Sequence, residues 1–421
     1  MRLTMEQRRA VIRASADRYR KAGKKEKGAI LDELVTLTGY NRWYAVGLLN
    51  GHGQVILIGK ARFVGDLRKK SKRKPRAPRY GPDVQEKLKE IWVILDYICG
   101  KRLVSILPEV IPALERFGEI ELDALTREKL LGMSAATADR LLAPERKKYE
   151  LRGRSGTKPG TLLKHQIPIR TFAQWDKEKP GFMEIDLVGH EGGNPSGDFC
   201  QTLDATDVAS GWTETRALQN KAQVWVFEAL KEIRAGLPFD LLGIDSDSGA
   251  EFINDNLYRY CLAERITFTR GRAGKKNDGC FVEQKNYSVV RRAVGYARYD
   301  SPVQLRYLNE LYRCLRLYTN YFQPVMKLQS KERTGSKVRK VYDLPKTPYQ
   351  RLLESNGLKP GQKKRLRDEY QTLNPAQLKR EITRLQGALM KSVANRRKKL
   401  RSGKMQPSSR PHSPVGFAQV S

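Results

Sequence analysis

The sequence has few cysteines, few histidines and no long apolar run. Its 421 residues include five cysteines and four histidines, with no Cys-x-x-Cys pair. This scarcity argues against a disulfide framework and a zinc finger. The most apolar stretches, Ile91–Cys99 and Leu103–Leu114, are far shorter than the roughly 20 residues that cross a bilayer. Because Met1–Ala14 is charged and lacks the apolar core of a signal peptide, we expect a cytoplasmic protein with no membrane partner.

Positive charge is what the sequence has in excess. There are 80 Lys and Arg residues against 46 Asp and Glu residues, a formal net charge of +34. Such a balance indicates a polyanionic partner. The charge is uneven, since residues 60–79 hold ten basic residues and one acid, whereas residues 180–300 hold 14 basic and 18 acidic residues. An acidic centre between basic flanks is typical of an enzyme that holds Mg²⁺ beside DNA, because carboxylates bind the cation and basic side chains bind phosphates.

The first half of the chain is predicted to be helical, in two segments separated by linkers. Residues 1–52 predict three helices with a glycine turn before the third, a pattern that fits a helix-turn-helix and equally an ordinary helical hairpin. Asn41 is its expected N-cap. Residues 81–145 predict a second domain of this kind, and residues 53–80 and 146–179 predict basic linkers. The candidate DNA contacts in this half are Asn41, Arg42, Lys69, Lys70, Arg73, Lys74 and Arg140.

The pattern changes to strands at Pro180. Three strands with short turns are followed by helix, strand, helix, strand and helix up to residue 300. This order resembles the ribonuclease H-like arrangement, an α/β core with a mixed five-stranded sheet and helices on both faces. Residues 301–400 predict a small basic β/α region, and residues 401–421 predict a disordered tail. A basic helix is predicted over 375–401, with an apolar stripe of Leu378, Ile382, Leu385 and Leu389 on one face. The expected architecture is therefore multidomain, with helix-turn-helix domains before a catalytic core.

Three acidic segments lie within that core. MEIDL carries Glu184 and Asp186, IDSDSGAEF carries Asp245 and Asp247, and KNDGCFVEQKN carries Glu283. A charged side chain on a buried strand is costly unless it is paired or binds a metal. Carboxylates gathered at one sheet edge provide the oxygen ligands that Mg²⁺ or Mn²⁺ prefers. Two such ions can activate an attacking oxygen and stabilise a leaving 3′ oxygen in phosphoryl transfer.

On these segments the chain resembles bacterial insertion-sequence transposases with a retroviral-integrase-like DDE core, in particular the ISNCY group. The block DSGAEF matches the pattern D-N/S-G-x-E-F, and 35 residues separate Asp247 from Glu283, the spacing of the D,D-35-E signature. The resemblance implies that Asp186, Asp247 and Glu283 are the catalytic residues and hold two Mg²⁺ or Mn²⁺ ions, with Asp186 bridging both. It implies binding of terminal repeats, 3′-end cleavage, strand transfer into target DNA, and a homo-oligomer on double-stranded DNA.

Other acids in these segments compete for the same roles. Asp245 shares a strand face with Asp247, as Glu184 does with Asp186. Glu251 is expected to cap its helix, and Asp204 is expected to be structural or to support the metal ligands. Basic and polar side chains that flank Glu283 are either contacts to DNA phosphates or a solvated helix face, and these are Lys275, Lys276, Lys285, Asn286, Arg291 and Arg292.

Two further functions fit the same pattern. One is a catalytically silent, transposase-derived regulator that only binds DNA. The other is a plain metal-dependent nuclease of the same fold, which hydrolyses DNA without joining it. The acidic triad argues against the first alternative, and the long basic flanks argue against the second.

Overall fold

The computed structural model describes residues 3–52, 55–58, 61–64, 79–149, 179–247, 249, 251–252, 254–271 and 280–401. The chain forms two compact units, Met1–Arg79 and Tyr80–Ser421. Among the described helices, none is both long and apolar enough to cross a membrane. Several predictions fall outside the described residues: most of the second linker, residues 402–421 of the tail, and the side chains of Lys69, Lys70, Arg73, Lys74, Lys275 and Lys276.

The first unit contains three helices, α1 (Met5–Lys21), α2 (Lys24–Thr38) and α3 (Arg42–Asn50). A buried apolar cluster that includes Ile12, Leu34 and Leu49 holds them together. Helix α2 ends at Gly39, whose φ of 68° is the left-handed conformation common after helices. Asn41 then caps α3 as predicted, since its side chain accepts a hydrogen bond of 2.9 Å from the Trp43 amide.

The interval that was expected to be an irregular basic linker begins with a hairpin. Strands β1 (Val55–Ile58) and β2 (Ala61–Val64) pair antiparallel. The sequence reads VILI and ARFV around a Gly-Lys pair, and β-branched and aromatic residues favour strands. The basic composition of the interval concealed this short apolar pattern.

The second unit opens with four helices: α4 (Pro82–Ile94), α5 (Gly100–Arg116), α6 (Ala124–Leu131) and α7 (Ala135–Arg146). Helices α5 and α7 meet at Gly100, whose amide donates to Asp139 over 2.8 Å. A Cβ at this position would lie 2.3 Å from the Ala135 carbonyl oxygen, so only glycine permits the approach. The apolar side chains of these helices belong to the same buried cluster as those of the sheet that follows.

That sheet has five strands, β3 (Phe182–Gly189), β4 (Gln201–Asp207), β5 (Thr213–Leu218), β6 (Gly243–Ser246) and β7 (Thr267–Arg270). Their order is β5-β4-β3-β6-β7. Strand β4 is antiparallel to both of its neighbours, β3 and β5, whereas β6 is parallel to both of its neighbours, β3 and β7. The predicted mixed five-stranded sheet is therefore confirmed, with the strand carrying Asp186 at its centre.

Helices connect and follow these strands. Helix α8 (Gln223–Gly236) joins β5 to β6, and α9 (Asp255–Ala263) joins β6 to β7. The helix predicted after β7 consists of α10 (Cys280–Lys285), a π-helical segment (Asn286–Arg291) and α11 (Arg292–Val294). Single wide turns of this kind are frequent at functional sites.

Helix α12 (Pro302–Phe322) closes one edge of the sheet through two asparagines. The Asn309 side chain bonds both the amide and the carbonyl of Ala217, at 2.8 and 3.1 Å. Asn320 does the same with Thr213, at 2.9 Å each. The two amide groups thus replace the neighbouring strand that β5 lacks on this side, and the exposed edge is satisfied.

The C-terminal region comprises β8 (Leu328–Thr334), β9 (Lys337–Tyr342), α13 (Pro348–Glu354), α14 (Pro360–Thr372) and α15 (Pro375–Arg401). Strands β8 and β9 form an antiparallel hairpin. Helix α15 buries Ile382, Leu385 and Leu389, three members of the apolar stripe predicted for it, in one cluster with α12 residues.

Candidate active site

Two predicted acids lie at the same end of adjacent parallel strands. Asp186 is on β3, and Asp247 follows β6 directly, so that each acid comes one residue after the last β3–β6 pair, Ile185 with Ser246. Because the carboxyl ends of parallel strands meet at one sheet edge, both side chains serve the same region. Asp186 is partly buried, whereas Asp247 is exposed and accepts a hydrogen bond of 3.0 Å from the Gly249 amide.

Helix α10 brings the third acid to this edge. Glu283 is exposed on α10, and Asn286 follows it by three residues, on the same helix face. The Asn286 amide donates to Asp186 Oδ2 over 2.6 Å, while the Leu187 amide donates to Oδ1 over 2.8 Å. Asp186 is therefore held in one orientation, beside the helix that carries Glu283.

A second bond fixes α10 to the same strand. Glu184, two residues before Asp186 and on the same face of β3, accepts hydrogen bonds from the amides of Phe281 (2.8 Å) and Val282 (3.0 Å). These amides belong to the first turn of α10, where backbone donors lack helical partners. Glu184 thus caps the helix, and burial raises the pKa of its carboxyl to about 8. This contact assigns Glu184 a structural role.

The charges of the three predicted acids influence one another. Burial raises the pKa of Asp186 to about 6, with further raising contributions from the negative charges of Asp247 and Glu283, against the opposing effect of the Asn286 amide. Like charges near a carboxylate disfavour its ionised form. The electrostatics therefore support the grouping of Asp186, Asp247 and Glu283.

The rival acid Asp245 is engaged within the sheet. It is buried, and the Thr269 hydroxyl on neighbouring β7 donates to its carboxylate over 2.6 Å. Glu251 does not cap a helix as expected, because α9 begins four residues later and Asn254 is its N-cap, accepting from the Leu257 amide over 2.9 Å. The expected helix start at Glu251 was therefore wrong.

Asp204 and Lys285 form a buried layer behind the acidic edge. Asp204 lies directly opposite Asp186 on β4 and is fully buried. Burial raises the pKa of Asp204 well above its ordinary value, while the charge of Lys285 opposes this rise. Burial in turn lowers the pKa of Lys285 to about 8. Lys285 is 8% exposed, so it faces the interior, where it does not reach DNA phosphates as predicted.

The remaining predicted DNA contacts have protein partners. Arg291 donates to the Gly189 carbonyl over 2.8 Å, and Arg292 pairs with Asp96 over 2.8 Å. Arg42 pairs with Asp32, and the exposed Arg140 bonds the Thr137 hydroxyl over 3.1 Å. The structure thus places Asp186, Asp247, Glu283 and Asn286 at one edge of the sheet.

The donor set fits a divalent cation. In the described parts of the chain, no three His, Cys, Asp or Glu side chains converge closely enough to hold a metal ion as they stand. Convergence of like-charged carboxylates requires a counter-charge, because each one raises the cost of ionising the others. Asp186, Asp247 and Glu283 supply only hard oxygen donors, which suit Mg²⁺ or Mn²⁺ and not softer metals.

Comparison with known proteins identifies a family. No family model matches the chain. The chain is 38% identical over 352 residues to "Uncharacterized protein y4rM" of Sinorhizobium fredii (strain NBRC 101917 / NGR234), an alignment that spans 83% of this chain and 96% of that protein. The chain belongs to the same protein family as y4rM.

Two solved structures are similar to part of the chain. The magnesium complex of the HTLV-2 integrase catalytic core domain is 13% identical, with a TM-score of 0.27, and covers 35% of this chain and 91% of its own. The catalytic core domain of BIV integrase is 16% identical, with a TM-score of 0.28, and covers 41% of this chain and 94% of its own. The fold assignment made above rests on the observed strand order and strand directions.

Sequence reasoning missed the roles of three side chains. Asn286 was predicted to contact DNA but holds Asp186, and Glu184 was weighed as a rival ligand but caps α10. The three-residue spacing of Glu283 and Asn286 was a usable signal, because such residues share a helix face. No comparable signal identified Lys285 as buried.

Proposed function

We propose that this protein is a DNA transposase of the DDE type, which cleaves the 3′ ends of a transposon and joins them to target DNA. One arrangement carries the proposal: Asp186 and Asp247 lie side by side, directly after the last paired residues of the parallel strands β3 and β6, and the helix that carries Glu283 is bonded to Asp186 through Asn286. The D,D-35-E spacing of these acids and the net charge of +34 support it.

The chain's own residues fix the geometry of the reaction. The side-chain amide of Asn286 and the backbone amide of Leu187 each donate a hydrogen bond to one oxygen of Asp186, which limits rotation of its carboxylate. Glu184 anchors the first turn of α10 and so limits movement of Glu283. Preorganised ligands of this kind reduce the reorganisation needed at the moment of reaction.

A divalent cation completes this proposal. Asp186, Asp247 and Glu283 would hold Mg²⁺ or Mn²⁺, two ions in all, which when bound activate the attacking oxygen and stabilise the leaving 3′ oxygen. The water or 3′-OH that attacks would distinguish cleavage from strand transfer within one site.

The basic flanks would hold the DNA. In the first unit, α3 begins with Asn41 and Arg42 and presents Trp43, which is 85% exposed. An exposed first turn after a glycine turn is the part of a helix-turn-helix that meets base edges. We propose that this unit binds the terminal repeats and that the protein acts as a homo-oligomer, since two DNA ends must be joined together.

A strand-transfer assay tests the proposal. Purified protein is incubated with Mg²⁺, a labelled duplex carrying the terminal repeat of the element, and a supercoiled target plasmid. We expect joined product from the wild type and at least a thousandfold less from Asp186→Asn, Asp247→Asn or Glu283→Gln, because each loses a metal ligand. Asp255→Asn is the matched control, since Asp255 is a surface acid of α9 paired with Arg259.

The assay separates the rival functions by product. Hydrolysis without joining would indicate a plain nuclease. DNA binding with neither reaction would indicate a silent regulator. Undiminished joining by one of the three variants would remove that residue from the catalytic set.

A further inference from the structure

The β8–β9 hairpin is an exposed ribbon with an uneven charge distribution. Except for Ser330, every residue of the ribbon whose burial is described is exposed. Its two-residue turn, Gly335 and Ser336, relies on a φ of 63° at Gly335, which suits a tight hairpin. A ribbon this exposed contributes little to the apolar core, so its sequence is free to serve another purpose.

The pairing register sorts the charges onto two faces. Lys331 lies directly opposite Lys340, and Arg333, two residues along, lies opposite Val338. Residues that pair directly, and residues two apart on one strand, share a face. One face therefore carries Lys331, Arg333 and Lys340 and no acid, and we call it the basic face.

The opposite face is different. There Glu332 lies across from Arg339, so a negative and a positive side chain are matched in register. Opposite charges at such positions stabilise a strand pair, whereas like charges directly opposite destabilise it. The Lys331–Lys340 pair is thus unfavourable for the isolated hairpin. Arg333 Nε donates to the Gly335 carbonyl over 3.2 Å, and among the described side chains no carboxylate forms an ion pair with Arg333 or with either lysine.

The base of the hairpin is firmly attached to the unit. Asp343 accepts from the Lys327 amide over 2.6 Å and pairs with Arg351 over 2.7 Å. Val325 and Lys346 pair as an isolated bridge immediately outside the two strands. The basic face is therefore presented by an anchored ribbon and not by a loose terminal segment.

The attachment lies away from the acidic edge. The Lys327 ammonium donates to the carbonyl of Ala209, which follows β4. The last residue of β4, Asp207, is opposite Met183 near the start of β3, whereas Asp186 lies toward the other end of that strand. The base of the hairpin is therefore attached near the opposite end of the β3–β4 pair from Asp186.

We infer that the basic face of the β8–β9 hairpin binds the phosphate backbone of duplex DNA. This inference rests on the proposed function for its choice of polyanion. A phosphate backbone supplies the negative charge that offsets the Lys331–Lys340 repulsion, and a two-stranded ribbon has dimensions that fit a DNA groove. The hairpin would hold DNA outside the cleavage point.

The test measures the salt dependence of DNA binding by the full chain, in EDTA so that no cleavage intervenes. The plot of log Kobs against log salt has a negative slope, and each lost phosphate contact makes that slope less steep by about 0.9. We expect the triple variant Lys331→Gln, Arg333→Gln, Lys340→Gln to lower the slope by about 2–3. The charge-preserving triple variant Lys331→Arg, Arg333→Lys, Lys340→Arg should keep the wild-type slope.

Adjacent residues provide a matched pair of single variants. Lys340→Gln, on the basic face, should lower the slope by about 1, whereas Arg339→Gln, on the opposite face, should change it little. Lys340→Gln should also unfold at no lower temperature than the wild type, since it removes a repulsion. If the variant lost DNA binding through misfolding, its unfolding temperature would fall together with the steepness of the salt dependence.

Each other outcome overturns the inference in a distinguishable way. An unchanged slope in the triple glutamine variant would exclude the hairpin and leave the proposed function intact. Failure of the wild type to bind duplex DNA would overturn both. A slope that falls for single-stranded RNA and not for duplex DNA would assign the basic face to a different nucleic acid.

Discussion

The interior of the sheet and its carboxyl edge both carry acids, but they satisfy them differently. Inside, Asp207 accepts hydrogen bonds from the Gly181 amide (2.8 Å) and from the Ser210 amide and hydroxyl (2.6 Å each). At the edge, Asp247 and Glu283 are exposed, and their charges add to the effect of burial in raising the pKa of Asp186. Asp207 is buried with both oxygens bonded to protein donors, which fits a structural role, whereas exposed like-charged carboxylates beside a buried one are suited to a cation.

The largest expected effect on stability comes from removing an acid in the interior of the sheet. Asp207→Ala leaves three donors without their acceptor in a fully buried position. We expect a loss of about 3–9 kcal/mol of unfolding free energy, since three donors lose their acceptor and each buried unsatisfied group costs about 1–3 kcal/mol. Urea denaturation measures this loss. A change below about 0.5 kcal/mol, the level of an ordinary surface substitution, would contradict the structural role.

A smaller effect concerns the pH dependence of Glu184. Its folded pKa is raised to about 8 from an ordinary 4.5. The unfolded chain therefore releases this proton first, so stability present below about pH 4.5 is lost as the pH rises toward 8. Over that window the slope can reach about 1.4 kcal/mol per pH unit. Glu184→Gln keeps an acceptor for α10 and should remove this contribution.

The measurement compares wild type and Glu184→Gln by chemical denaturation from pH 5 to pH 8 in EDTA. We expect the difference between them to grow in favour of the variant with increasing pH. Glu184→Ala, which removes the acceptor as well, should be less stable than Glu184→Gln throughout. A pH-independent difference between wild type and Glu184→Gln would show that Glu184 titrates normally.

The smallest expected effect lies at the acidic edge. Asp247→Asn removes one of the like charges that act on Asp186, so the thermal midpoint should rise slightly, by about 1–2 °C. Added Mg²⁺ should raise the midpoint of the wild type and raise that of the variant less, because a ligand that binds the folded state stabilises it. Equal Mg²⁺ responses would remove Asp247 from the metal site.

Patterns along the chain predicted the centre of this molecule better than its flanks. Alternating and apolar runs predicted the five strands, and the Asn41 cap and the α15 stripe followed from local rules. The catalytic assignments of Asp186, Asp247 and Glu283 stay predictions, supported by their placement. The proximity of Asp186 and Asp247 was foreseeable because it depends on strand order, whereas the position of Glu283 depends on how α10 is bonded to β3.

The remaining features depend on tertiary contacts. The inward position of Lys285 follows from how α10 and its π-helical continuation rotate over the sheet, which no sequence spacing reveals. The hairpin at residues 55–64 was hidden by its basic surroundings, and helices α13 and α14 are short elements with few apolar positions. Propensity is a weak guide in such segments.

The two asparagines that close the edge of β5 are synthesised long after the strand itself, so the edge stays uncovered for part of synthesis. Strand β5 ends at Leu218, and Asn320 follows it by about 100 residues. At about 5–20 residues per second, the ribosome delivers this partner on the order of 5–20 s after the strand. During that interval the edge has no covering helix, and a neighbouring nascent chain could add a strand to it. Substitution of Asn320 would prolong that exposure, so the yield of soluble protein would report on it even where the finished fold tolerates the change.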